Sequence, residues 1–323
     1  MPSDGMRDKL SNMRLSQTGR LLKRLFGLQY LRPDDFMPHI SPQQADRITE
    51  LSRQARGDAP PAILVLGVMP RSGTNFVRDL LALHPDIHAD PESVYEFPLL
   101  HAAEGARAFM TEFFSYFPRN SETLSEWDGL ALLAGAWLGH WQSMAGDRHI
   151  LLKCPHVQNL GLAPYVFPDA KIFLCVRDGR DVIDSTMRTF PRFSLKRKTF
   201  SQLASEWRLG TEAICTFAED GPNTNPNIML VRYEDVVAEP EKSVSSFLAH
   251  AGLDPETYPI DRVTMMPVRG SSRSTAANDE RWQPEAKTAD FNPVQRWANW
   301  SNAKKTRFAR LAGPTLKVAG YDE

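Results

Sequence analysis

The sequence predicts an α/β fold in which helices cover both faces of a mostly parallel sheet. Four apolar runs have the length of strands: Ala62–Leu66, His149–Leu152, Lys171–Val176 and Ile228–Val231. Runs with apolar residues at helical spacing lie between and after them: Thr74–His84, Trp127–Ser143, Val157–Phe167, Arg180–Thr189, Phe200–Glu219, Pro240–Ala251 and Ala303–Ala319. Strands that alternate with helices pair mostly in parallel, because each helix returns the chain to the same end of the sheet.

The turn after the first strand is the most informative element. Residues 67–75 read Gly-Val-Met-Pro-Arg-Ser-Gly-Thr-Asn and lie between a strand-like run and a helix-like run. In that order, the backbone N–H groups of the turn converge and the dipole of the following helix favours negative charge. The sequence therefore predicts a P-loop-like phosphate cradle.

This cradle differs from the loop of ATP- and GTP-binding proteins. That loop needs Gly-x-x-x-x-Gly-Lys-Ser/Thr, with the lysine on the terminal phosphates and the hydroxyl on magnesium. Here Gly67 and Gly73 are one residue too far apart, and Thr74 stands in the place of the lysine. The cation lies earlier, at Arg71. We expect a phosphate site that does not take a magnesium-bridged triphosphate; structural glycines in another α/β protein are the alternative.

The later strands end next to further cations. Ligands of open α/β sheets bind beyond the carboxyl ends of the strands. Lys153 and Arg177 follow the second and third strand-like runs, and Arg232 follows the fourth. Cations that converge around a phosphate loop indicate a ligand with several negative groups.

The rest of the chain frames this core. We expect residues 1–323 to form one domain, with an N-terminal helical extension over 1–60, an α/β core over 61–323, and helical insertions between the strands. Leu10–Leu31 is basic and amphipathic, which suits a helix packed on its own domain or one that touches a membrane or a partner. Pro267–Phe291 has no apolar period and predicts a long substrate or cofactor loop, with disorder as the alternative.

Composition excludes several classes of function. The net charge of −1 argues against a nucleic-acid binder. The three cysteines are widely spaced and form neither a metal pattern nor a disulfide framework. No cleavable signal and no apolar stretch long enough to cross a bilayer is evident, so the sequence predicts a cytoplasmic protein.

Two of these motifs together resemble those of the sulfotransferases that use 3′-phosphoadenosine-5′-phosphosulfate (PAPS). Pro70–Asn75 resembles the 5′-phosphosulfate loop of that family, and Val176–Arg180 followed by Ser185 resembles its 3′-phosphate site. The resemblance extends from Ile63 to Tyr321. It implies PAPS as the donor, 3′-phosphoadenosine 5′-phosphate (PAP) as the product, and no metal.

Within the family, the chain is most similar to the tyrosylprotein-sulfotransferase-like and bacterial branch. Arg71, the sequence His84–Ile87 and Glu92 match that branch in spacing. Phenol and steroid sulfotransferases have a lysine at the position of Arg71 and reach a histidine base through Lys-x-His. In Lys153–His156 this chain has one residue too many for that pattern.

The resemblance and the chemistry of sulfonate transfer imply four catalytic residues. Arg71 would stabilise charge on the leaving phosphate, and Lys153 would contact the sulfonate oxygens. Glu92 is the predicted general base, with His156 as the alternative. The late serine-bearing loop would supply a hydroxyl from Ser272, with Ser271 and Ser274 as competing positions.

The predicted nucleotide-binding residues form a larger set. It consists of Arg71, Ser72, Gly73, Thr74, Asn75, Arg177, Ser185, Tyr233, Ser271, Ser272 and Arg273. Arg177 and Ser185 would hold the 3′-phosphate. Tyr233 would contact adenosine or, alternatively, serve as a core tyrosine. Asp178 and Asp181 are predicted to be helix-start residues rather than catalysts.

We therefore predict a sulfotransferase that passes sulfonate to a hydroxyl, or less favourably an amine. A diverged P-loop kinase or nucleotide hydrolase and a non-catalytic nucleotide-binding protein are the rival hypotheses. The acceptor (small molecule, sugar or peptide) cannot be deduced from the sequence, although Glu96–Gly146 and Pro191–Phe200 are expected to line its pocket. Whether the protein forms a homodimer is equally open.

Overall fold

The apolar runs form a parallel sheet at the centre of the fold. The computed structural model describes residues 31–189, 198–266 and 293–322, with the backbone alone for 220–224. Within these residues the strands are β1 (Ile63–Gly67), β2 (Ile87–Ala89), β3 (His149–Cys154), β4 (Lys171–Val176) and β5 (Ile228–Arg232). They lie in the order β2-β3-β1-β4-β5, and every pairing is parallel. The predicted fold class is confirmed.

The helices of the described residues cover this sheet. They are α1 (Pro42–Arg56), α2 (Thr74–Leu81), α3 (Ala103–Tyr116), α4 (Asp128–Ala145), α5 (Ala163–Val166), α6 (Gly179–Thr189), α7 (Phe200–Thr224), α8 (Tyr233–Ala238), α9 (Pro240–Ala251) and α10 (Asn302–Val318). None of them is both long and apolar enough to span a bilayer.

Burial explains why β1 is the central strand. All five of its residues are buried, and Val65 lies opposite Lys153 of β3 and Phe173 of β4. Val65 and Phe173 belong to one apolar cluster with Val77 of α2 and Phe247 of α9. Each fully buried side chain of this size contributes about 1.5–3 kcal/mol of transfer free energy. This buried cluster therefore stabilises the central strands from which the loops of the site begin.

Two predicted helices differ from the structure. The helix expected over Val157–Phe167 is a short 3₁₀ turn followed by α5. Asn159 has a φ of 58°, in the left-handed region, so the chain turns before it can continue as a helix. The helix expected to reach His84 ends at Leu81, since Pro85 disfavours helical geometry in the residue before it.

The topology brings five loops to one edge of the sheet. Since all strands are parallel, the residues that follow their carboxyl ends lie on the same side. These are the turn after β1, residues 90–97 after β2, and the segments that begin at Pro155, Arg177 and Tyr233.

Candidate active site

The loop after β1 needs glycine at its second glycine position. Gly73 has a φ of 94°, and a Cβ there would lie 2.2 Å from Cδ2 of Tyr233. Arg71 has a φ of 84°, a left-handed conformation that costs a non-glycine residue about 1–2 kcal/mol. Strain of this kind persists where the surrounding structure holds the residue for a purpose.

Gly73→Ala is expected to lower the free energy of unfolding by about 1–3 kcal/mol and to abolish nucleotide binding. The added methyl group must displace the Tyr233 ring as well as strain the backbone. Gly146→Ala is the matched control, because Gly146 also has a positive φ, 64°, but an added Cβ meets no atom within 4 Å. Thermal unfolding and PAP calorimetry test this, and equal effects of the two substitutions would contradict it.

Ser72 shapes the turn from within. Its side chain is fully buried; its hydroxyl donates to the carbonyl of Met69 at 2.7 Å and accepts from the Met69 N–H at 3.2 Å. The Ser72 N–H also donates to the Met69 carbonyl. The hydroxyl and the N–H of Ser72 thus form their hydrogen bonds within the loop. The first amides of α2, at Thr74 and Asn75, have no partner within their helix and suit a phosphate oxygen.

The two predicted phosphate motifs meet directly. The guanidinium Nε of Arg71 donates to the hydroxyl of Ser185 at 2.8 Å, and Nη1 of Arg177 donates to the carbonyl of Arg71 at 2.9 Å. Burial, and then the nearby charges of Arg177 and Arg296, lower the pKa of Arg71 to about 10. Guanidinium groups that repel one another in this way favour an anion between them.

Tyr233 lies under this group of arginines. Its ring packs on Gly73, meets Phe76 edge-to-face at 6.4 Å, and has the Arg177 guanidinium 4.5 Å above its centroid. Burial raises the pKa of its phenol. Tyr233 is therefore a buried tyrosine that also borders the loop, and its contact with adenosine stays a prediction.

Arg296 was not identified from the sequence. It lies on a short segment that donates hydrogen bonds to two acidic side chains of α6. Asp181 accepts from the N–H of Gln295 at 2.8 Å and of Trp297 at 3.3 Å, and Asp184 accepts from the indole of Trp300 at 2.9 Å. Asp181, which the sequence predicts as a helix-start residue, therefore also binds a segment that is distant in sequence.

Lys153 is buried beneath the other side of the loop. Its ammonium donates to Oδ1 of Asn75 at 2.7 Å and to Oε1 of Glu96 at 3.0 Å, and lies 3.9 Å from the centre of the Tyr95 ring. Burial lowers the pKa of Lys153, and the charge of Glu96 opposes that shift. Glu96 begins a stretch that the sequence analysis expects to line the acceptor pocket, but no motif marks it as the partner of Lys153.

Glu92 presents its carboxylate at the surface of the same segment. Oε2 accepts from the indole N–H of Trp141 at 2.8 Å, and Oε1 lies 3.4 Å from Nε2 of His140. The Trp141 hydrogen bond, and then that of His140, lower the pKa of Glu92. The carboxylate is thus ionised at neutral pH, oriented by α4, and accessible to a ligand.

His156 has a different environment. Its ring stacks on His101 at 4.3 Å, and its Nδ1 is buried with no hydrogen-bond partner among the described residues. Burial, then the charges of His101 and Lys198, lower the pKa of His156 to about 3. A neutral imidazole with so low a pKa is a weak proton acceptor.

Residues 90–97 connect Glu92 both to α2, the helix after the phosphate loop, and to the strand that carries Lys153. Asp90 pairs with Arg78 of α2, and the N–H of Phe97 donates to the carbonyl of Lys153 at 2.8 Å. Glu92 and Glu96 lie between these anchors. The segment therefore holds the predicted base on the same side of the sheet as the buried lysine.

Several predicted residues lie outside the described part of the chain. They are Ser271, Ser272, Arg273 and Ser274 of the late loop, residues 191–197 of the expected acceptor pocket, and residues 10–30 of the basic amphipathic segment.

Comparisons with known proteins identify the family and the fold. A profile described as "Sulfotransferase family" matches residues 61–257. Protein-tyrosine sulfotransferase 1 of Danio rerio is 23% identical over 273 residues, which cover 80% of this chain and 72% of that protein. The sulfotransferase domain of the Synechococcus PCC 7002 olefin synthase is 21% identical, with a TM-score of 0.53 over 83% of this chain and 98% of that one, which shows a shared fold.

The matched region contains all five strands, the phosphate loop, both candidate bases and Ser185, and it spans more than half of the chain. The chain therefore belongs to the sulfotransferase family.

Proposed function

We propose that the protein transfers sulfonate in line from PAPS to an acceptor hydroxyl, with Glu92 as the base and Arg71 on the leaving phosphate. The acceptor oxygen forms a bond to sulfur as the bond between sulfur and the 5′-phosphate oxygen breaks. The electron pair of the broken bond stays on that phosphate oxygen, and the hydroxyl proton goes to the Glu92 carboxylate. Sulfated acceptor and PAP are the products.

The direct contact between Arg71 and Ser185 is the observation that carries this proposal. It joins the predicted 5′-phosphosulfate loop to the predicted 3′-phosphate site, at 2.8 Å between Nε and Oγ. A ligand with phosphate groups at both positions of one ribose would meet both motifs. Arg177 and Arg296 add charge on the same side, which fits a bisphosphate better than a single anion.

Lys153 is suited to the sulfonate oxygens. It approaches the phosphate loop through its 2.7 Å bond to Asn75, and only 1% of its side chain is exposed. An ammonium fixed before the reaction stabilises charge on the transferring group without reorganisation. Glu96 holds it in place and opposes the loss of its proton.

Glu96→Gln is expected to move the basic limb of the kcat/KM profile to lower pH. In the proposed reaction, activity requires Lys153 to be charged. Burial lowers the pKa of Lys153, and Glu96 is the largest influence that raises this pKa. Of the smaller influences, Arg78 lowers the pKa and Asp79 raises it. Without Glu96 the ammonium therefore deprotonates at a lower pH. Initial rates from about pH 6 to about pH 10 test this. Glu104→Gln, at an exposed ion pair with Arg107, is the control, and an unmoved limb would contradict the assignment.

Transfer of label from sulfur-35 PAPS to alcohols, phenols, sugars and peptides tests the proposed reaction. Labelled product with at least one hydroxyl acceptor, together with PAP, is expected. Magnesium-dependent ATP hydrolysis in place of transfer would favour the kinase or hydrolase hypothesis. PAP binding without transfer to any acceptor would favour a non-catalytic binding protein.

A further inference from the structure

The exposed face of α4 next to Glu92 is apolar. Leu133, Trp137 and Met144 are 45%, 39% and 43% exposed. They are spaced four and seven residues apart and so share one side of the helix. His140, which approaches the Glu92 carboxylate, lies on the same side. A stripe of exposed apolar side chains therefore runs along the helix past the predicted base.

This stripe has no charged side chain of its own. From Leu130 to Ala145, α4 contains no aspartate, glutamate, lysine or arginine. Contiguous exposed apolar surface on a folded protein usually marks a site of interaction. The neighbouring helix α3 exposes Phe109, Phe113 and Tyr116 as well, so the apolar area is not confined to one helix.

The stripe is continuous with the predicted reaction centre through an aromatic wall. The Trp137 ring stacks on Trp141 at 6.1 Å and meets Phe97 edge-to-face at 5.2 Å. Trp141 donates a hydrogen bond to the Glu92 carboxylate, and the backbone N–H of Phe97 donates to the backbone carbonyl of Lys153. An acceptor that reaches both the base and the lysine therefore lies against this wall.

Charge also restricts the acceptor. The carboxylates of Glu92 and Glu96 are both about half exposed on the segment that borders the wall, at 48% and 47% of their side chains. A carboxylate or sulfate group on the acceptor would be repelled by them, and the stripe contains no lysine or arginine in compensation. A hydrocarbon group loses water against the stripe and gains free energy.

From these observations we infer that the acceptor is an uncharged phenol or alcohol whose hydroxyl is carried by an extended apolar group that lies along Trp137 and Leu133. This inference rests on the proposed function and specifies its substrate class. His140 and Leu133 are seven residues apart, so the stripe provides roughly 10 Å of apolar surface on that side of Glu92.

A series of 4-alkylphenols of increasing chain length tests the inference. Each buried methylene is expected to raise kcat/KM about two- to fourfold, until the chain extends beyond the stripe. The affinity of the same phenols for the complex with PAP, measured by calorimetry, is expected to rise in parallel. An acidic tyrosine peptide and a sugar are expected to be poorer acceptors than the longer phenols by at least about tenfold.

Leu133→Asp and Leu132→Asp form a matched pair for this experiment. The two leucines are equally exposed, at 45% and 47%, but Leu132 points about 100° away from the stripe. Leu133→Asp is expected to remove the dependence on chain length in both rate and binding, whereas Leu132→Asp keeps it. Thermal unfolding confirms that both variants are folded.

Three results would overturn the inference. One is equal kcat/KM for short and long phenols, with sugars or acidic peptides preferred; the proposed transfer reaction would then stand without this acceptor class. Another is a dimer that Leu133→Asp dissociates without changing the dependence on chain length, which would assign the stripe to self-association. The third is chain-length dependence that both variants retain. Failure of the proposed function itself differs, because transfer is then absent with every acceptor although PAP binds.

Discussion

Arg71→Ala is expected to lower kcat/KM for sulfonate transfer by about a thousandfold. The Arg71 guanidinium donates to Ser185 and belongs to the loop that we propose takes the leaving phosphate. Removing one preorganised donor from a developing anion costs about 10²–10³ in rate. The substitution also relieves the repulsion among Arg71, Arg177 and Arg296. Stability is therefore expected to stay the same or to rise, while activity falls.

Two further variants make this result specific. Arg71→Lys keeps the charge but loses the planar guanidinium, and it is expected to recover only part of the rate. Arg53→Ala is the control, because Arg53 forms an exposed ion pair with Asp169 far from the loop. Steady-state kinetics with saturating acceptor give the comparison. Arg71→Ala with nearly normal kcat/KM would mean that another group meets the leaving phosphate.

Glu92→Gln is expected to lower kcat by about 10²–10⁴ while the affinity for PAP stays unchanged. Glutamine keeps the shape and can still meet the indole of Trp141, but it cannot accept the hydroxyl proton. His156→Asn is expected to leave kcat within about threefold of the wild-type value, since the pKa of His156 is about 3. Rapid-quench kinetics and PAP calorimetry test both. The reverse pattern would assign the base to His156.

The same base implies a pH dependence with a definite sign. The hydrogen bonds from Trp141 and then His140 lower the pKa of Glu92, so the base stays ionised, and kcat stays high, into the acid range. Trp141→Phe removes the larger influence and raises that pKa. The acid limb of the kcat profile is then expected to move to higher pH. An unmoved limb would contradict the assignment of that limb to Glu92.

The convergence of the site could be predicted from the sequence because of the topology. Arg71 and Arg177 follow strands that were recognisable as apolar runs, Lys153 lies near the end of another, and parallel strands carry such residues to one edge. The contact of Ser185 with Arg71 follows from the same arrangement, since Ser185 lies two turns into the helix after β4. The resemblance to sulfotransferases supplied the chemistry that these positions share.

Other parts of the site leave no signal in a single sequence. Arg296 lies far along the chain, and the hydrogen bonds that Asp181 and Asp184 accept from neighbouring residues show that its segment returns to α6. Glu96 is an ordinary loop glutamate until the fold places it 3.0 Å from Lys153. The strand β2 has only three residues, too few for a period of two to be recognised.

Binding of PAP in the presence of EDTA tests the central claim most directly. If Arg71, Arg177 and Ser185 hold a 3′- and a 5′-phosphate together, PAP is expected to bind without magnesium and at least about tenfold more tightly than adenosine 5′-monophosphate, which lacks the 3′-phosphate. Arg177→Ala is expected to remove that preference. Equal affinity for the two nucleotides, or tighter binding of ATP with magnesium than of PAP, would contradict the account.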